Sequence, residues 1–153
     1  MSTEHIKIPD VTPIIRFTAN GALTRYDFPF PIFAAEDLKV YFDGALQNSG
    51  YMVFSTGQTS GGYVEFDTAV SAGITITLTR QLPLERITDF IEGGDFSARA
   101  INNELDYMMS SVQQIARQQS QMLHYSDHEN TANNELPAKA IRAGKALGFD
   151  GNG

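Results

Sequence analysis

Two hydrophobic periods divide the chain. In the first half Ile74, Ile76 and Leu78 interleave with Thr75, Thr77 and Thr79, the period of a strand with one covered face. Comparable short runs occupy Ile14 to Thr18, Arg25 to Phe28, Leu38 to Asp43, Tyr51 to Ser55 and Tyr63 to Asp67. Turn chemistry separates them at Asn20-Gly21, Asp43-Gly44, Ser49-Gly50, Gly61-Gly62 and Ala72-Gly73. About six short strands at this spacing predict a small antiparallel β-sandwich or a partly open barrel.

In the second half the spacing becomes helical. Ile101, Leu105, Met108, Val112, Ile115, Gln119 and Met122 follow one another in alternating steps of four and three, a heptad seam. Ile101, Met108, Ile115 and Met122 take the d positions, and Leu105, Val112 and Gln119 the a positions. Isoleucine at d with leucine at an a position leans away from two strands, and the small or uncharged flanks suit a wider bundle. The seam therefore predicts a homotrimeric coiled coil. Gln119 would control register, since three copies around an axis can satisfy one another's amides. The competing reading is an ordinary amphipathic helix packed on its own domain.

These periods set the expected organisation: a mainly β domain with a connecting corner over 1–96, a coiled-coil helix over 97–125 with Ser97 as its cap, and a polar C-terminal segment over 126–153. Phe28-Pro29-Phe30-Pro31 cannot continue a central ladder, because each proline lacks a donor, so it reads as an edge exit or a corner. The aromatic residues of the first half supply a core more readily than a docking surface.

Composition narrows the chemistry. A chain of 153 residues, 42% hydrophobic, can bury a core without metal or disulfide, and it contains no cysteine. A net charge of -7 disfavours a phosphate-backbone partner, so no nucleic acid is expected. No apolar run reaches membrane-spanning length and the N-terminus lacks the features of a signal peptide, so neither membrane insertion nor secretion by such a signal is expected.

Two clusters invite chemistry. Glu85, Asp89, Glu92 and Asp95 crowd the corner, and a carboxylate pair is what glycoside hydrolysis uses. Arg80 and Arg86 among them give a simpler account, ion pairs that stiffen a connector. His124 and His128 would share a face of a continuing helix, but two ligands leave a metal site incomplete. The expectation is a protein with no enzymatic activity, no cofactor and no metal. The alternative is a small β-type module that binds or degrades glycan through Glu85 and Asp89.

Several segments carry a resemblance to a known family. These are Tyr26-Asp27-Phe28-Pro29-Phe30, Asp37-Leu38-Lys39-Val40-Tyr41 with Gly44, and Gly73 through Arg80. Leu84-Glu85-Arg86-Ile87-Thr88-Asp89-Phe90 follows, then Gly94, Phe96, Ala98 and Ile101-Asn102-Asn103-Glu104-Leu105-Asp106. In this order and spacing they resemble the N-terminal virion-attachment domain of podophage tail fibre and tailspike proteins, over about Ile14 to Gln121.

The resemblance implies a structural virion protein made in the host cytoplasm, the trimeric end of a fibre or spike nearest the tail. It implies a tail-adaptor or nozzle protein as partner, and no catalytic residue. Tail attachment would fall to Phe28, Phe30, Leu84, Glu85, Arg86, Asp89 and Phe90. The C-terminal stretch departs from the longer members, in which similar Leu-Gly-Phe-Asp segments introduce downstream domains, so residues 1–153 read either as the N-terminal part of a longer fibre or as a short adaptor. A distal fibre or spike protein could dock there on Leu136, Ile141, Leu147 and Phe149, beside the basic stripe of Lys139, Arg142 and Lys145.

Overall fold

The alternation of threonine with isoleucine and leucine builds the strand at the centre of the fold. A computed structural model describes residues 6–85, 97–122 and 139–145. In it β1 (Ile14–Thr18), β2 (Arg25–Phe28), β3 (Leu38–Phe42), β4 (Ala45–Gln47), β5 (Tyr51–Phe54), β6 (Gly62–Phe66) and β7 (Thr75–Arg80) precede a long helix α1 (Ala98–Gln119). A short helix α2 (Lys139–Arg142) lies near the C-terminus. Residues Met1–Gln121 form one compact unit and Met122–Gly153 a second.

The strands form two antiparallel sheets, β1-β7-β3-β4 and β2-β6-β5, a sandwich and not a closed barrel. Register follows the period of two. Leu78 of β7 stands opposite Ile15 of β1 and Val40 of β3, and Ile76 stands opposite Phe17 and Phe42. In the second sheet Val64 of β6 stands opposite Tyr26 and Val53, and Phe66 opposite Tyr51. All of these share a single core, in which Val40, Val64, Ile76 and Leu78 are wholly buried. Rings lock the sheets together: Phe17 meets Tyr26 at 5.2 Å and Phe42 meets Phe66 at 5.3 Å between centroids.

Strand β4 is an addition to the sequence reading. Asp43 and Gly44 both have positive φ, 47° and 86°, the geometry of a two-residue hairpin turn whose twist matches its strands. Asp43 closes it by accepting at Oδ1 from the Thr75 amide (2.9 Å) and donating its own amide to Thr75 O (2.9 Å).

The chain leaves the edge strand β2 through Phe28-Pro29-Phe30-Pro31. Phe28 and Phe30 are buried and their rings lie 5.1 Å apart. Both side chains thus belong to the core, as the reading of the aromatic residues as core expects, and not to the exposed surface that the resemblance would give to tail attachment. Buried Asp37 then fixes the corner, its Oδ2 accepting from the amides of Phe33 (3.1 Å) and Ala34 (2.8 Å).

Gly61 lies against the same corner with φ +85°, and a Cβ there would sit 2.0 Å from Phe28 O and 2.9 Å from Phe30 N. Gly61→Ala is therefore expected to lower stability by about 2–3 kcal/mol, read as a fall in the urea midpoint at constant slope. A variant that unfolds with the wild type would show that this backbone yields easily.

Candidate functional site

Helix α1 starts as the sequence reading expects, with Ser97 Oγ accepting from Ala100 N (3.5 Å). It runs for 22 residues, about 33 Å at 1.5 Å per residue. It ends at Gln119, where Ser120 Oγ donates to Arg117 O (2.7 Å) and competes for the last free carbonyls. Met122, expected as the last d residue, therefore lies beyond the helix.

The face that α1 turns toward its own sandwich is polar. Tyr107, Ser110 and Gln114 are its buried residues, and Gln113 is half-buried beside them. Gln114 pairs with the backbone of Leu82 through both ends of its amide: Oε1 accepts from Leu82 N (2.6 Å) and Nε2 donates to Leu82 O (3.2 Å). Gln113 Nε2 donates to Pro9 O (2.8 Å), and Tyr107 donates its hydroxyl to Pro83 O. A tilted ring contact adds to these bonds, the Tyr107 and Phe33 rings lying 5.5 Å apart at 45°.

Arg80 is the centre of this contact. It follows Ile76 and Leu78 in the inward phase of β7, so its guanidinium enters the core and has no exposed surface. Nη1 donates to Pro31 O (3.0 Å), and Nη2 to Ser110 O (3.2 Å) and Gln113 Oε1 (2.8 Å). One side chain thus joins β7, the corner after β2 and the middle of α1. Burial pushes its pKa down to about 10 against the opposing pull of Asp37, which leaves it charged at neutral pH. Burial, helped by Asp37, Glu85 and Glu104, also raises the Tyr107 hydroxyl pKa, so it stays a neutral donor. Among the described residues the hydrogen bonds of Arg80 go to backbone carbonyls and a glutamine; Asp89, Glu92 and Asp95 of the corner lie outside them.

Facing away from the sandwich, α1 is apolar and open. Leu105, Met108, Met109, Val112 and Ile115 are between 39% and 58% exposed, Ile101 is half-buried and Gln119 is exposed. The buried set occupies the outer b, c and f positions of the heptad, half a turn from the a/d seam. The reading of an ordinary amphipathic helix, apolar face inward, is thus reversed. The helix docks on its own domain by hydrogen bonds and leaves its hydrophobic stripe uncovered.

The remaining residues of interest are spread more thinly. Leu84 and Glu85 are exposed and border an open cleft of about 430 Å³ along α1. Arg86, Asp89 and Phe90 lie outside the described residues, as do Leu136, Leu147, Phe149, His124 and His128. Of the C-terminal set, Ile141 is placed on α2 and is exposed. Among the described residues no group of three or more His, Asp or Glu is placed to hold a metal, and no helix is long and apolar enough to cross a membrane.

No protein-family model matches the chain. Over 106 residues it is 30% identical to a tail spike protein of Salmonella phage epsilon15, a match covering 65% of this chain and 10% of the spike. The chain is thus similar to a phage tail protein of the spike class, and the match spans about a tenth of that relative's length.

Proposed function

We propose that this chain is a trimeric connector of a phage tail, the part of a fibre or spike that anchors it to the virion. One observation carries the reading: the apolar seam of α1 stands open while its opposite face is taken up by its own sandwich. A bare stripe of this length in water calls for a partner, and a heptad stripe is complementary to copies of itself. Threefold packing leaves room for it, because each sandwich sits on the outer side of its own helix. The similarity to a tail spike supports the setting, a structural component of the particle.

Within this reading the sandwich and the Leu84–Glu85 corner face the tail, engaging an adaptor or nozzle protein. The C-terminal segment around Ile141 leads toward a distal fibre or spike protein. The connector works by buried interface, with no reaction, cofactor, metal or nucleic acid involved. Sedimentation of the native protein is the direct test. Three times the chain mass of 16.8 kDa is expected, and a monomer at micromolar concentration would refute the connector.

A further inference from the structure

The cleft along α1 lies on one flank of the seam. Its helical wall is formed by Glu104, Tyr107, Met108, Ser111 and Val112, and its other wall by Leu84 with Glu85. In the heptad Glu104 and Ser111 are g positions, whereas Met108 and Val112 belong to the seam, so the cleft opens directly onto the seam. Whatever covers the seam must border the cleft. Leu84 is 64% exposed at its rim, and Glu104 Oε2 is buried with no hydrogen-bond partner within one copy. Across the seam, on the e flank, Met109 projects with 52% of its surface exposed.

We infer that Met109 of each copy inserts into the Leu84–α1 cleft of the next copy; this rests on the trimeric seam proposed above. Three helices related by a threefold axis run parallel, and the g flank of each then faces the e flank of its neighbour. The e residue facing the span from Glu104 to Ser111 is Met109. An unbranched thioether chain suits an irregular apolar slot between a helix and a connector. The contact is heterologous, cleft to knob, and three of them close a ring. Leu84, at the start of the connector, thereby belongs to the interface between copies.

The chain has no cysteine, so introduced thiols report without background. Leu84→Cys and Met109→Cys are combined in the full chain, a mixture of isotope-labelled and unlabelled protein is refolded together and oxidised, and native mass and linked peptides are measured. Both positions are exposed in a single copy, so the fold should tolerate the changes. The inference expects a native trimer that becomes covalent, most linked peptides joining position 84 of one copy to position 109 of another. Each single variant should run as a free chain after denaturation. A native trimer without these links, or with links confined to single copies, overturns the cleft while leaving the seam intact. A native monomer overturns both.

Discussion

Changing Ile101, Met108 and Ile115 together to glutamine is expected to leave the protein monomeric, where the proposed connector is trimeric, while the sandwich stays folded. Met108 and Ile115 are exposed in a single copy, so their apolar surface adds little to the stability of one chain, whereas half-buried Ile101 adds somewhat more. Surface changes of this kind shift monomer stability within about 0.5 kcal/mol each. Between copies the same side chains would be the buried core, where each lost residue costs about 1.5–3 kcal/mol of transfer free energy per copy. The effect therefore falls almost wholly on assembly. Sedimentation combined with thermal unfolding separates the outcomes. A triple variant that keeps the native mass would show that the seam is not the interface, and one that unfolds outright would show that the seam faces its own domain.

Arg80→Met carries the opposite signature. It removes the donors that satisfy Pro31 O, Ser110 O and Gln113 Oε1, groups that stay in place with little access to water. Each buried acceptor left unpaired costs about 1–3 kcal/mol, which exceeds what methionine regains by relieving the buried charge. A loss of about 2–4 kcal/mol in urea unfolding is expected, with α1 released from the sandwich and its outer face exposed to exchange. Lysine should rescue little, since it lacks the planar fork that reaches three acceptors at once. A change below about 1 kcal/mol would mean that Arg80 is held by the fold without holding it. Because the folded pKa, about 10, is below the ordinary value, the penalty for burying the charge is present in full at lower pH. It lifts only as pH rises past about 10, so this group adds no slope to stability near neutrality.

Much of the sandwich could be read from the sequence because a strand with one buried face writes its period into its residues. β1 and β2 have the expected bounds, and the other four expected strands lie within a residue or so of theirs. β4 escaped notice since Ala45, Leu46 and Gln47 are too few to display a period, although the Asp43-Gly44 turn before them is the usual hairpin mark. The seam was legible for the same reason as the strands. What hydrophobic pattern could not reveal was the face α1 gives to its own domain: Tyr107, Ser110, Gln113 and Gln114 look like a solvated stripe until the carbonyls they meet are known. A trace was available in Arg80, a charge in phase with Ile76 and Leu78, which had to be buried and so had to find acceptors. Phe28 and Phe30 were legible as core from their aromatic character, and only the family resemblance assigned them to attachment.

The junction around Arg80 also decides where force goes. β7 is paired along its length on both sides, with β1 and with β3. A pull or twist arriving along α1 passes through Ser110 and Gln113 into Arg80 and hence into this interior strand, where yielding means shearing two ladders at once. The hydrogen bonds of Arg80, Gln113 and Gln114 thereby tie the orientation of the sandwich to that of its helix.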